Sequence, residues 1–363
     1  MGFSPCSGNC ARRAARLALA VALAAGLVLA DVSAPASAQR TQAQPVGRLG
    51  DRWFVVATGA ASWRVPYFGT GDLAAAHPSV ARAVILVHGT LRDAHRYYAT
   101  ALSAGRAAGV DPRRVAIVVP QFLATPDAAA LALPADVPYW SLEGWKDGAA
   151  ARGSAGALSS FAVLDALLQT LGDRRRFPAL ADVVVAGHSA GAQLVQRYAA
   201  LGRLAGAQRA GLAIRYVVAD PSSYLYFDNR RLSADGSFLP YPRGLCPVAN
   251  QYKYGLDRAP TYAGTIDGVT LARRYAAHDV TYLLGGADVD PHAPFLDRTC
   301  AADAQGASRL ERGERYIRAL RLIVGTAPFN QVLCVLPGIG HEARVLFSSA
   351  CGARVLFVGG GCC

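Results

Sequence analysis

The sequence predicts an α/β fold: a mostly parallel central sheet with helices on both faces and a cap-like insertion after the sixth strand. Three observations carry this. Short, continuous apolar runs rich in Val and Ile recur along the chain, the pattern of strands buried on both faces. Longer stretches of helical character separate them, and such alternation builds parallel sheets. Finally, 52% of the 363 residues are hydrophobic and 17% charged, which supplies a large core and excludes an intrinsically disordered chain.

The chain opens with a stretch that reads as a secretory leader, residues 1–38. Arg12, Arg13 and Arg16 form a positive region and Leu17–Ala30 is apolar. Ala34-Pro35-Ala36-Ser37-Ala38 then offers small residues for cleavage after Ala38, with Ala30 an earlier alternative. The apolar run is short for a membrane span and no second one follows, so the expectation is a secreted or periplasmic protein with no stable membrane partner after cleavage.

Strands are expected at Arg52–Thr58, Ser62–Tyr67, Ala83–His88, Val115–Pro120, Val183–Gly187, Ile214–Ala219, Val280–Leu284 and Gln331–Leu336. Between them, helices are expected at Tyr97–Ala108, Gly156–Leu171, Ala190–Arg203 and Arg309–Ile323, the last supported by the pairs Glu311–Arg315 and Glu314–Arg318 at i,i+4. Residues 121–155 and 221–279 are too long and too rich in Pro and aromatic residues for tight connections. Both follow strands, at whose carboxyl ends α/β sheets place their ligands, so both are expected to wall or cap a pocket. One folded domain is expected over 39–358, with a Gly/Cys tail at 359–363.

The charge balance, Lys+Arg 37 against Asp+Glu 25, gives +12. Only Lys146 and Lys253 are lysines, and the arginines form no dense block beyond Arg174–Arg176 and Arg230–Arg231. A nucleic-acid partner is therefore not expected, because such proteins carry a clustered basic footprint and a recognisable module. Removal of the leader leaves Cys246, Cys300, Cys334, Cys351, Cys362 and Cys363. An even number in an exported chain favours disulfides; the pairs expected are Cys246–Cys300 and Cys334–Cys351.

The strongest chemical signal is Gly187-His188-Ser189-Ala190-Gly191, placed between the buried-strand run 181–186 and a helical stretch. That is the context of a nucleophile elbow. Gly187 and Gly191 leave room for a sharp turn that lifts Ser189 Oγ off the sheet. A serine hydroxyl needs a histidine base, and the histidine needs a carboxylate to hold it. With this turn the partners follow in the order Ser, acid, His. His341, in Gly338-Ile339-Gly340-His341-Glu342 after the last strand, is the base. Asp288, the first carboxylate to leave the strand end at Gly285-Gly286, is the preferred acid; Asp290 and Asp220 are the alternatives. The oxyanion hole needs two N–H groups: one from Ala190, the other from Thr90, with Leu91 as alternative, in the turn His88-Gly89-Thr90-Leu91. His88 is read as a structural hydrogen-bonding residue beneath the site.

Together these motifs resemble those of α/β-hydrolases over nearly all of 45–355. The chain is similar to a group of exported bacterial and fungal α/β-hydrolases, mostly without assigned substrates. The likeness lies in Trp63–Tyr67, His88–Arg92, Trp140–Gly148, Asp165–Gln196, Pro221–Tyr224, Tyr252–Leu256, Gln305-Gly306 with Arg309 and Arg312, and the flanks of His341. It implies Ser189, Asp288 and His341 as a triad and ester hydrolysis through an acyl-enzyme. The chain departs from hormone-sensitive-lipase-like esterases, which carry His-Gly-Gly-Gly where it has His-Gly-Thr. Ala190 stands where cutinase-like enzymes typically carry Met, and Asp220 where the closer relatives would carry Asn.

The function expected is therefore an exported serine esterase acting on a small-molecule or polymeric ester, with no metal or organic cofactor. The alternatives are a peptidase, acyltransferase or polyester depolymerase on the same triad, or a catalytically silent binding protein. Trp140, Trp145 and Tyr224 are expected to line the substrate pocket, with Tyr226, Tyr241, Tyr252 and Tyr254 as further candidates. Lys253 is expected to be solvated, and Arg309 and Arg312 to bind carboxylates structurally.

Overall fold

The structure is a computed structural model; it describes residues 41–360 except 60, 153–157, 204–210, 234, 261, 263 and 265–266. The expected leader, together with Cys362 and Cys363 of the tail, lies outside the described residues.

Eight strands make one sheet: β1 (Arg52–Thr58), β2 (Ala61–Gly69), β3 (Arg82–Val87), β4 (Val115–Pro120), β5 (Asp182–His188), β6 (Ala213–Ala219), β7 (Asp279–Gly285) and β8 (Gln331–Leu336). Their order is β1-β2-β4-β3-β5-β6-β7-β8. β1 and β2 form an antiparallel edge and β2 meets β4 antiparallel; every later pairing is parallel. The β-branched runs occupy the centre because strands covered on both faces need apolar side chains in both directions. In β3, Val84 and Leu86 enter one core cluster while Ala83, Ile85 and Val87 enter the other.

Helices α1 (Ala94–Ala107), α6 (Ala343–Ser348) and α7 (Ala350–Phe357) cover the first face. Helices α2 (Ser160–Leu171), α3 (Ala190–Leu201), α4 (Gly268–Ala276) and α5 (Arg309–Val324) cover the second. Their starts are chemically marked: Ser159, Asp267 and Ser308 each accept a backbone N–H from the first turn. The sequence reading placed no helix at α4, α6 or α7.

The insertion between β6 and β7 holds a small ribbon, Arg230–Leu232 against Phe238–Pro240, and then α4. It is rooted in the core, since Tyr224, Leu225, Tyr226 and Phe227 are buried with α3 and α5. The Cys246–Cys300 disulfide forms, with its Cα atoms 5.6 Å apart, and ties the insertion to the segment before α5. The expected Cys334–Cys351 bridge does not appear among the described residues, where both side chains are buried. Among the described residues, no helix is long and apolar enough to cross a membrane.

Candidate active site

Ser189 sits between β5 and α3 with φ 56° and ψ −118°, a region that L-residues avoid unless the surroundings enforce it. Here they do. A Cβ on Gly187 would lie 2.3 Å from the Gly191 carbonyl oxygen, and one on Gly191 would lie 2.4 Å from that of Val87. The Ser189 N–H donates to the Ala219 carbonyl at 2.8 Å, which anchors the turn to β6. Ala190 is the first residue of α3, so its N–H has no acceptor within the helix.

Two further loops converge on this turn. Asp288 leaves β7 and His341 leaves β8, and the loops are stitched together by Gly286 N–H to Leu336 O at 2.8 Å and Ala287 N–H to Ile339 O at 2.9 Å. A Cβ on Gly285 would lie 2.5 Å from Gly340 O, so the close approach depends on glycine there. The result is a hydrogen-bonded line. His341 Nε2 is 3.0 Å from Ser189 Oγ, and His341 Nδ1 is 2.7 Å from Asp288 Oδ2. With the proton on Nδ1 donated to Asp288, Nε2 is left to accept from Ser189.

Asp288 is itself held. Arg309, fully buried on α5, donates to Asp288 Oδ1 at 3.1 Å, to Ser222 Oγ at 3.2 Å and to Pro294 O at 2.8 Å. Burial alone would raise the Asp288 carboxyl, but the hydrogen bond from His341 and the charge of Arg309 keep it below the ordinary carboxylate range. Burial lowers His341, and the raising influence of Asp288 does not fully offset it. Both shifts favour a carboxylate beside a neutral imidazole. The two alternative acids make other hydrogen bonds. Asp290 is exposed and accepts from His292 N–H at 2.8 Å, while Asp220 Oδ1 accepts from Gly285 N–H at 2.9 Å.

The turn after β3 passes beside Ser189: a Cβ on Gly89 would be 3.8 Å from Ser189 Cβ. It is fixed by a buried pair that the sequence reading did not single out. Arg92 donates to Asp127 at 2.6 and 3.2 Å and holds the Thr90 carbonyl at 3.2 Å. His88 lies beneath, accepting from Phe122 N–H at Nε2 and reaching Gly89 O from Nδ1, both at 2.9 Å. Burial lowers it to about 4, so it is a neutral, structural imidazole.

His188 forms a second layer. Its ring centroid is 4.5 Å from that of His341, its Nδ1 is 2.9 Å from the Tyr97 hydroxyl, and burial lowers its pKa well below the ordinary value. His188, Asp220 and His341 bring donor atoms within 4.8 Å of one another. That donor set does not fit a metal without dismantling the site, because both His341 nitrogens are committed to Ser189 and Asp288. Burial, followed by the charge of Asp288, raises the Asp220 carboxyl far above its usual range, which disfavours it as an anionic ligand.

Two clefts open on Ser189. One, of about 350 Å³, runs along Leu91, Tyr97, Phe295 and Ala343. The other, of about 320 Å³, runs along Glu143, Lys146, Gln193, Lys253, Tyr254 and Asp297. Thr90 and Phe295 line both. Trp140, Trp145 and Tyr224 line neither, a correction to the expected pocket. All three are fully buried: Trp145 stacks on Phe122 with centroids 5.7 Å apart, Trp140 packs on the same ring at 5.5 Å, and Tyr224 stacks on Tyr316 at 4.5 Å. Large rings gain most from packing, and these hold the loops from beneath. Of the further aromatic candidates, Tyr254 faces a cleft beside Ser189. Lys253 is corrected as well: it is not solvated but ion-paired in the cleft wall. Arg309 and Arg312 do bind carboxylates, those of Asp288 and Asp303.

No family model matches the chain, and no curated protein matches it in sequence. Solved structures do. The chain is similar to poly(aspartic acid) hydrolase-1 from Sphingomonas sp. KT-1, with 21% identity and a TM-score of 0.58 over 86% of this chain and 99% of that one. It is equally similar to a poly(3-hydroxybutyrate) depolymerase from Bordetella parapertussis, with 21% identity and a TM-score of 0.58 over 89% and 96%. The strand order, the turn at Ser189 and these likenesses define the fold as that of the α/β-hydrolases.

Proposed function

We propose that this protein is a serine hydrolase that cleaves carboxylic esters, and that it acts after export. The observation that carries the reading is the line Ser189 Oγ–His341 Nε2 at 3.0 Å and His341 Nδ1–Asp288 Oδ2 at 2.7 Å. His341 takes the Ser189 proton as Oγ bonds to the ester carbonyl carbon. The N–H groups of Ala190 and Thr90 receive the oxyanion. His341 then gives the proton to the departing alkoxide, leaving an acyl-serine and a free alcohol. Water, deprotonated by His341, attacks the acyl-serine; the carboxylic acid leaves and Ser189 regains its proton. Asp288 keeps the Nδ1 proton in place and stabilises the imidazolium, and Arg309 keeps Asp288 aimed. No step calls for a metal or an organic cofactor. The substrate is a small or polymeric ester, for which the open cleft past Leu91 and Phe295 gives room.

Export is supported by the leader-like residues 1–38 and by the Cys246–Cys300 disulfide, since such bonds persist in oxidising compartments. The test of the activity is p-nitrophenyl ester turnover by the purified protein. Ser189→Ala is expected to lower kcat by about 10⁵- to 10⁶-fold while leaving the circular dichroism spectrum unchanged. Undiminished turnover by that variant would remove Ser189 from the chemistry.

A further inference from the structure

The chain carries 37 basic residues, of which only Lys146 and Lys253 are lysines. Both line the same cleft beside Ser189. The division of labour has a chemical reading. Arginine, with its rigid fork, makes the buried structural pairs Arg92–Asp127, Arg309–Asp288 and Arg312–Asp303. Lysine, a compact ammonium on a flexible stem with three donors, is kept for the cleft.

The lysines are built into position. Arg197, fully buried on α3, donates to the carbonyl oxygens of Lys146 at 3.0 Å and Lys253 at 3.3 Å. It thereby fixes two loops, distant in sequence, to the helix that begins just after the nucleophile. Their ammonium groups share one carboxylate: Glu143 Oε1 is 2.5 Å from Lys146 and Oε2 is 2.6 Å from Lys253. Asp297 stands 3.7 Å from Lys253. The Glu143 side chain is 51% exposed, against 7% for Lys146 and 14% for Lys253. The anion is thus the movable, solvent-facing partner, and the cations belong to the wall. Gln193, which also lines the cleft, accepts at its oxygen from Ser223 and Arg197, at 3.2 and 3.3 Å. Arg197 adds a third positive charge with no carboxylate among its hydrogen-bond partners.

We infer that this cleft receives a carboxylate of the substrate, which takes over the two ammonium groups as Glu143 swings to solvent, so that the preferred esters carry a free carboxylate on the acyl chain. Half-esters of dicarboxylic acids and carboxylate-ended oligoesters are the matching class. The inference rests on the ester-hydrolase reading above and deepens it. Glu143 acts as a built-in competitor: burial would raise its carboxyl, but the two lysines hold it down to about 2, so it remains an anion at any working pH and keeps the lysines masked until an acidic substrate arrives.

The experiment compares kcat/KM for mono-4-nitrophenyl esters of adipic, pimelic and suberic acid with the same compounds methylated on the free carboxylate. The ratio of acid to methyl ester is the readout within each variant. Wild type is expected to favour at least one acid by about tenfold, the worth of a charge-assisted hydrogen bond. Lys253→Met and Lys146→Met should bring that ratio toward one, 1 M NaCl should lower it, and Glu143→Gln should raise it. Because replacing the buried Lys146 also disturbs packing, Lys253→Met and Glu143→Gln, at more open positions, decide the matter, with melting temperatures checking that they fold. A wild-type ratio of one or less for all three acids, or a ratio unmoved in both of these variants, overturns the inference while leaving ester hydrolysis intact. Release of nitrophenolate from neither series overturns both.

Discussion

At the scale of single residues, the account turns on the protonation of one imidazole. His341 is faced by Asp288, Arg309, Glu342 and the neutral ring of His188. Burial lowers its pKa below 6.5 and the positive Arg309 adds to the lowering, while Asp288 works the other way. Only the neutral form can accept the Ser189 proton. The expected pH profile of kcat/KM is therefore flat through neutrality and falls as pH drops through a value below 6.5. In Asp288→Asn the carboxylate that raises His341 is gone, so the acid limb should move to still lower pH. The rate should also fall by about 10³- to 10⁴-fold, because the imidazole tautomer is no longer enforced. Stopped-flow ester assays between pH 4 and 9 check both statements; an acid limb above pH 7 in the wild type would contradict the burial argument.

The three residues that meet in the hydrogen-bonded line were legible because each type has a forced place: a serine between glycines after a buried strand, a carboxylate where a strand ends, a histidine after the last strand. Arg309 was legible only as a carboxylate partner, since nothing in a linear pattern says which carboxylate a helix will present it to. The aromatic residues were misread for a similar reason. Trp140, Trp145 and Tyr224 lie in loops at the right end of the sheet, but a ring in such a loop can face the ligand or the core, and packing against Phe122 and Tyr316 decided for the core. The lysines carried a usable signal in their scarcity, which a composition count alone does not place in space.

At the scale of elements, the elbow is a steric construction of β3, β5 and α3. Adding a methyl group at Gly191 would bring it within 2.4 Å of Val87 O and 2.5 Å of His88 O, both backbone atoms that cannot step aside cheaply. Gly191→Ala should destabilise the protein by about 2 kcal/mol or more, in the range of overpacked cores. Gly244→Ala, where a Cβ meets nothing within 4 Å, should change stability by less than about 0.5 kcal/mol. Urea melts of the two variants provide the comparison, and equal midpoints would show that the turn has more room than its geometry implies. The central strands declared themselves because apolar β-branched runs are costly anywhere but inside a covered sheet. The helices that escaped notice are short and atypical. α7 contains Gly352 and ends in Val355-Leu356-Phe357, which reads equally well as a strand; it is helical because Ser349 caps it and because Gly352 lets it cross α6, where a Cβ would fall 2.1 Å from Leu346 O. α4 hides behind a Pro- and Arg-rich approach, yet Asp267 caps it and Leu271, Ala272, Tyr275 and Ala276 bury one face.

At the scale of the whole molecule, the sheet acts as a common base plate. β5, β7 and β8 deliver Ser189, Asp288 and His341 from positions 152 residues apart at the extreme, and the order β3-β5-β6-β7-β8 places their ends side by side. Alternation of strand and helix pointed to a mostly parallel sheet, whereas the spacing of the cysteines does not choose among their pairings: the expected Cys246–Cys300 bridge forms, and the expected Cys334–Cys351 bridge does not appear among the described residues. The insertion between β6 and β7 brings Lys253 and Tyr254 to the cleft while its own root is packed into the core, so on the proposed reading selectivity would be set by a wall that belongs to the domain.

The central claim is that Ser189 is made nucleophilic by His341. The direct measurement is intact-protein and peptide mass spectrometry after incubation with a fluorophosphonate. The account predicts one adduct per chain, located on Ser189, formed rapidly by the wild type and at least about a thousandfold more slowly by His341→Ala. A wild-type protein that remains unlabelled, or that carries the adduct on another residue, would contradict it.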